Sequence, residues 1–436
     1  MSRQIRIGMS MLRARVTAPA RQRRGLAIAA ICATAGMLLT ACAAGGSGGA
    51  AAASSASQAA GGQLSITPAN GSTHATTDQG ITVTAAHGKI TNVTVRTAGD
   101  TVTGSLNSAG TVWHSNWALG VSQSYTVTAA ATGPAGQKLT QTSSFRTFTP
   151  AQTAQTMIFE GYQQTYGVGM PIILTFSHPV VNKAVVERSL QLRTSKPVAG
   201  AWYWDGSQTL DFRPESYWPT HTQVSFTGHL NGVEMAPGVY GAHTLTQSFN
   251  IGSSLIVVAS TSTHFMKLYW NGKLLHRWPI STGRPGDNTP NGTYLTIEKG
   301  NPVLMKGPGY SIEVPWSVRF TWSGDYLHDA YWSTGEQGFT NVSHGCVNMP
   351  PADAEVYYQM AVPGDPVTIT GSPRAGEWDN GWTEWFLTWH KYLKGSATHL
   401  AVQAGPDGST FVDPATLPAP AAAPLGSADP GNWAAA

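Results

Sequence analysis

The sequence predicts a mostly β chain: two tandem β-sandwiches followed by a third β-rich unit with one or two helices. Three observations carry this. Short runs rich in Thr and Val alternate apolar and polar residues, as in Gly80-Ile81-Thr82-Val83-Thr84-Ala85 and Ser124-Tyr125-Thr126-Val127-Thr128-Ala129. Gly, Pro, Asn and Asp punctuate those runs as turns. Convincing amphipathic helices are nearly absent before residue 350, which points to sandwiches rather than to a layered α/β fold.

Residues 1–41 are expected to be an export signal. Arg3, Arg6, Arg13, Arg15, Arg21, Arg23 and Arg24 form a basic start without Asp or Glu, and the apolar stretch from Gly25 to about Thr40 is too short to span a membrane. It ends in Leu39-Thr40-Ala41-Cys42, which resembles a lipobox, so Cys42 is the expected lipidation site; ordinary cleavage between Ala41 and Ala44 is the alternative. The Arg23-Arg24 pair has poor flanks for a twin-arginine signal. The leader holds seven of the 26 basic residues, leaving 19 against 23 acidic, a balance of −4. The chain's formal +3 therefore belongs to its leader, and a nucleic-acid partner is not expected.

The remaining segments follow in order. Residues 42–63 are a flexible tether, made after Cys42 of Ala, Gly, Ser and Gln alone. Residues 64–148 make the first sandwich and 149–252 the second, with strands at Ile172–Phe176 and Gln223–Phe226. Trp113, Trp117, Trp202 and Trp204 read as core or interdomain packing rather than a carbohydrate platform. Residues 253–371 form the third unit. Leu255–Val258 is a buried-type strand, and Met266–Leu275 a hairpin about Asn271-Gly272, whose positive φ angles a two-residue turn requires. A helix over Ala352–Met360 follows Pro351, and Val367–Thr370 closes the unit. From Trp378 to Leu393, Trp382, Trp385, Phe386, Trp389 and Tyr392 fall three or four apart, predicting a docking helix within a Trp-rich segment, 372–408. Residues 409–436, rich in Ala, Pro and Gly, are expected to be disordered.

The chemistry concentrates in Ser343-His344-Gly345-Cys346-Val347-Asn348, with His328 upstream and fourteen residues between it and Ser343. Cys32 leaves with the signal and a lipidated Cys42 is capped, so Cys346 has no disulfide partner. An unpaired thiol outside the cytoplasm invites oxidation and is best explained by reactivity. Either His328 or His344 could take its proton. His344 is only two residues away on a turn, and His328 is free to approach from another strand, which makes His328 the candidate base. Gly345 permits a tight backbone approach, so that N–H groups around Gly345 and Cys346 could face an oxyanion, with Asn348 holding the turn. Zinc on His328, His344 and Cys346 lacks a fourth ligand, and no nucleotide loop or metalloprotease helix is visible; no cofactor or metal is expected.

These residues at these offsets match the signature of the YkuD family, the L,D-transpeptidase catalytic domain. Such a match arises by chance at on the order of one in 10⁸ positions. The resemblance covers about residues 253–370 directly. The lipobox, the two sandwiches (immunoglobulin-like in that family) and the Trp-rich segment extend it to an actinobacterial lipoprotein type. It implies that Cys346 is the nucleophile, attacking the L-centre carbonyl of meso-diaminopimelate in a tetrapeptide stem and releasing D-Ala. The amine of a second stem then resolves the thioester. His328 is implied as general base, held by the backbone carbonyl of the next residue, often Ser in relatives and here Asp329. If instead the Asp329 carboxylate reached the imidazole, it would favour a standing thiolate–imidazolium pair. His344 and Gly345 resemble oxyanion-loop residues supported by Asn348, and Tyr310 and Trp332 resemble lid and substrate-channel aromatics, which with Ser343 complete the implied substrate-binding set. The stretch Ile297–Tyr310 is shorter than in relatives with a long lid. The implied partners are peptidoglycan stems, carbapenems as covalent inhibitors and a membrane reached through lipid, with the enzyme outside the membrane facing the wall. The same thioester resolved by water gives an L,D-carboxypeptidase, and by a protein lysine, wall anchoring. A non-catalytic peptidoglycan-binding lipoprotein is the reading from another class.

Overall fold

The computed structural model describes residues 62–307 and 309–417. The expected signal, the lipidation site Cys42, nearly all of the tether and residues 418–436 lie outside the described residues.

The first sandwich packs the sheet of Gln63–Thr67, Thr82–Ala86, Val112–Ser115 and Gly104–Leu106 on that of Lys89–Arg96, Ser124–Thr132 and Lys138–Arg146. Strict alternation along Ser124–Thr132 turns Tyr125, Val127, Ala129 and Ala131 inward against Ile81, Val83 and Trp113. The junction with the second sandwich is polar and aromatic. Trp117 stacks on His229 with ring centroids 3.9 Å apart. Asp100 Oδ2 accepts from Asn231 Nδ2 at 3.0 Å and from Thr244 Oγ1 at 2.8 Å.

The second sandwich sets Thr165–Tyr166, Leu245–Ile251, Gln223–Gly228 and Leu190–Thr194 against a six-stranded sheet, with Trp202, Phe212 and Phe226 buried between them. Two of those six strands come from beyond the third unit: Ala401–Gly405 pairs antiparallel with Val198–Asp205, and Gly408–Val412 pairs with Ala401–Gly405. Residues 409–417, expected to be disordered, are thus strand and a short 3-10 turn. In the strand they extend, the small residues Ala401, Val402 and Ala404 bury well against a ready sheet edge.

The Trp-rich segment is not one helix. It forms a 3-10 turn at Glu384–Phe386 and a short helix at Trp389–Leu393. Leu387 is extended between them (ψ 137°), and Thr388 caps the second by accepting from the Lys391 N–H. Its aromatic side chains dock on neighbouring units as the stripe predicts, Trp382 and Trp385 on the second sandwich and Phe386 against Tyr294 of the third unit. The fully buried Arg213 lies 4.4 Å from the Trp385 ring centroid and 4.3 Å from that of Tyr392, and donates to the Leu387 carbonyl at 3.0 Å. Glu187, on the helix Lys183–Arg188, fastens the chain just beyond Leu393. Its carboxylate accepts from Trp204 Nε1 (2.8 Å), Ser396 Oγ (2.7 Å), the Ala397 N–H (2.6 Å), and the Thr398 N–H and Oγ1 (3.1 and 2.8 Å). Glu187→Ala would orphan these donors in a dry interface. It is expected to cost on the order of 3 kcal/mol, read as a lower denaturation midpoint with faster proteolysis within 396–412.

The third unit has a five-stranded sheet in the order Lys273–Pro279, Phe265–Trp270, Leu255–Ser260, Pro366–Thr370, Gly292–Leu295. Asn271 and Gly272 turn its hairpin with φ of 47° and 81°. A second sheet runs Glu298–Gly300, Ser317–Arg319, Tyr326–Asp329, Val347–Met349, and the helix Pro351–Met360 buries Ala354 and Tyr357 in the shared core. A separate hairpin, Val303–Gly307 with Tyr310–Val314, stands over this second sheet's site.

Candidate active site

The motif's two halves meet through a strand pair. Tyr326–Asp329 runs parallel to Val347–Met349, in the register Leu327 to Val347, His328 to Asn348 and Asp329 to Met349. Cys346 directly precedes the second strand and His328 lies within the first, so a residue far upstream is a near neighbour of the thiol. Both line one cavity of about 380 Å³.

His328 is 3% exposed and its Nδ1 lies 2.8 Å from the Asp329 backbone carbonyl. A carbonyl can only accept, so Nδ1 carries the hydrogen and Nε2 is left as the basic nitrogen. The group on the imidazole is therefore the main-chain carbonyl and not the Asp329 carboxylate. That carboxyl is itself buried, which raises its pKa, and its Oδ1 has no hydrogen-bond partner. Burial pushes the His328 pKa down to about 4, against the opposing pull of the Asp329 hydrogen bond.

The Cys346 thiol is half-buried and donates to the Gly324 carbonyl at 3.9 Å. Burial pushes its pKa up to about 12. The nearby Asp325 charge adds to the rise, and a hydrogen bond from the Tyr326 backbone opposes it. A neutral thiol beside a neutral imidazole is thus the resting state, and a standing ion pair is disfavoured.

The turn ahead of Cys346 is tied within itself. The Gly345 N–H donates to Ser343 Oγ (3.1 Å), which donates to the Cys346 carbonyl (2.6 Å), while the Gly345 carbonyl accepts from Thr289 Oγ1 (2.6 Å). Ser343 lines the cavity, but its hydroxyl is committed to this turn, as is the Gly345 N–H expected to face an oxyanion. Gly345 has a φ of 132°, and a Cβ there would lie 2.4 Å from Asp325 Oδ1, so only glycine fits. Asn348 does not hold the turn. Its Nδ2 donates to Ser333 Oγ (2.9 Å), bracing the 3-10 turn Tyr331–Ser333 that carries Trp332. His344 is exposed with its ring 5.1 Å from Tyr310, and Trp332 lies 5.8 Å from the His328 ring.

Sequence reading missed Asp325 and the cavity's apolar wall. Asp325 is 7% exposed and its Oδ2 accepts from Thr321 Oγ1 (2.8 Å) and Ser323 Oγ (3.1 Å). The run Thr321-Trp322-Ser323-Gly324-Asp325 carries that turn's chemistry, but nothing local says it packs on Gly345. Met305, Ile312 and Val314 of the hairpin form the wall. Among the described residues no cluster of three or more His, Cys, Asp and Glu side chains is placed to hold a metal.

Comparison with known proteins agrees with this architecture. Residues 72–234 match the family described as "Bacterial Ig domain", and 254–369 match "L,D-transpeptidase catalytic domain", YkuD. L,D-transpeptidase 2 of Mycobacterium tuberculosis is 30% identical over 342 residues, 74% of this chain and 84% of that protein. L,D-transpeptidase 5 of the same species is 34% identical over 316 residues, 69% of each chain. A solved L,D-transpeptidase from Mycobacterium smegmatis covers 50% of this chain and 99% of its own, with 30% identity and a TM-score of 0.41. A bacterial Ig domain ahead of a YkuD domain marks the chain as a transferase. The chain belongs to the L,D-transpeptidase family and is an L,D-transpeptidase.

Proposed function

We propose that Cys346 is the nucleophile and His328 the general base of this enzyme, acting on peptidoglycan tetrapeptide stems. The observation that carries the reading is the parallel strand pair, which sets a thiol and an imidazole of fixed tautomer at one cavity. His328 Nε2 takes the Sγ proton as sulfur attacks the L-centre carbonyl of meso-diaminopimelate. The carbon–nitrogen bond to D-Ala then breaks, and the leaving amine takes that proton from the imidazolium. The thioester is resolved by the side-chain amine of a second stem. His328 accepts the amine's proton and returns it to the departing sulfur. The Cys346 N–H is the remaining backbone donor for the oxyanion, since that of Gly345 is engaged. Tyr310, Trp332 and His344 border the stem's path, and Ser343 and Asn348 support it from behind.

A carbapenem would acylate the same thiol by opening its lactam ring, the ring nitrogen taking the proton. Lipid on Cys42 and a place outside the membrane, facing the wall, complete the proposal, supported by the leader's pattern. Water or a protein lysine would resolve the same thioester to other products. The test is incubation with a tetrapeptide muropeptide, followed by mass analysis. Crosslinked dimers with one free D-Ala per bond are expected. Tripeptide monomers alone would make the enzyme a carboxypeptidase, and no release of D-Ala would sink the reading.

A further inference from the structure

Thioester formation and resolution leave one charged side chain of the cavity unused. Glu336 is the single carboxylate among the lining residues, and neither Lys nor Arg lines the cavity with it. Its backbone is fixed. The Glu336 N–H donates to the Ser333 carbonyl at 3.2 Å, and its own carbonyl accepts from the Phe339 and Thr340 N–H groups at 3.0 and 2.8 Å. Its side chain is exposed, and among the described residues it takes no part in an ion pair; those present join Arg284 to Asp287, Arg319 to Glu298 and Arg374 to Glu377. The facing hairpin alternates so that Met305 and Ile312, paired across its strands, line the cavity, while the intervening Lys306 is exposed and does not. The cavity therefore has an apolar hairpin wall and one carboxylate, carried on an exposed side chain.

We propose that Glu336 determines the specificity of the second half-reaction by receiving the primary ammonium of the acyl acceptor's side chain. The inference rests on the thioester reading of Cys346. An acceptor amine arrives protonated, and a carboxylate at the cavity attracts it. Water gains nothing from that charge. The ammonium gives one proton to solvent, and the free amine attacks the thioester carbonyl. The carbon–sulfur bond breaks, and His328 carries the amine's second proton to the sulfur. Glu336 is a specificity residue, not the base.

The test uses Glu336→Gln, with Glu336→Lys as a charge reversal and thermal melting as a check of fold. Acylation is timed with a carbapenem alone. Acceptor use is followed as crosslinked dimer against tripeptide from a tetrapeptide muropeptide at varied acceptor concentration. For Glu336→Gln the acceptor KM is expected to rise about fivefold, against a several-fold smaller change in acylation, with product moving towards tripeptide. Glu336→Lys should move both further. An unchanged acceptor KM and product ratio would overturn the proposal. So would equal losses in acylation and acceptor use, which would mean general damage to the site. Wild-type enzyme that is never acylated would instead bring down the thioester reading itself.

Discussion

Cys346→Ala is expected to gain no mass from a carbapenem and to release no D-Ala from a tetrapeptide muropeptide. The loss should be on the order of 10⁴-fold or more, the scale seen when the nucleophile of a catalytic unit is removed. No other described side chain offers a thiol at this cavity. The neighbouring hydroxyl of Ser343 is already tied to the Gly345 N–H and the Cys346 carbonyl, so it cannot substitute. Half-buried sulfur also carries little of the core, so melting should hold close to wild type. Cys346→Ser keeps the shape with a far less acidic group and should be nearly as slow. A carbapenem adduct on Cys346→Ala equal to that on wild type would refute the nucleophile assignment.

His328→Gln is expected to slow acylation by about 10²- to 10⁴-fold, the range for loss of a positioned base. Its pH behaviour separates two models of the resting site. With the thiol pushed up to about 12 and the imidazole down to about 4, both are neutral at pH 7. Alkylation of Cys346 by iodoacetamide should therefore keep rising with pH beyond the ordinary cysteine midpoint of about 8.5. A rate already at its plateau between about pH 6 and 8 would mean a standing ion pair. Stability gives an independent reading. A histidine whose folded pKa is depressed from 6.5 to about 4 binds fewer protons folded than unfolded within that window. Stability is then fully present above the window and is lost as pH falls through it, by on the order of 3 kcal/mol. His328→Gln removes this contribution, so its midpoint should fall less than that of wild type between pH 6.5 and 4. Equal falls would argue against a buried neutral imidazole.

The sequence made legible whatever local chemistry dictates. Asn271-Gly272 announced its hairpin through backbone sterics, and alternation along Ser124–Thr132 named its own inward face. The motif was readable because its residues cluster on one short loop and one strand. What escaped depends on contacts between distant segments. Nothing around Asp325 says that its carboxylate lies against Gly345. The aromatic stripe from Trp382 to Tyr392 identified a docking surface correctly. It did not reveal that extended Leu387 splits the segment, although Thr388 before Trp389 is a legible cap. Most instructive is the C-terminal hairpin, whose second strand reads as tail because it opens a stretch rich in Ala, Pro and Gly. Its Gly405-Pro406-Asp407-Gly408 is a turn signal flanked by strand-like alternation, but its partner strand lies some two hundred residues earlier.

That hairpin changes how the enzyme carries load. The catalytic unit leaves the second sandwich after Ile251 and the chain returns to the same sandwich at Ala401. Two covalent crossings therefore join them, where a serial arrangement would have one. In the proposed acyl-enzyme the protein is bonded to its substrate through Cys346, and a pull there would divide between both crossings. A single protease cut near Ser253 would not shed the catalytic unit, because Ala401–Gly405 would still hold it in register. Release would require a second cut, or the shearing of a whole strand from its sheet.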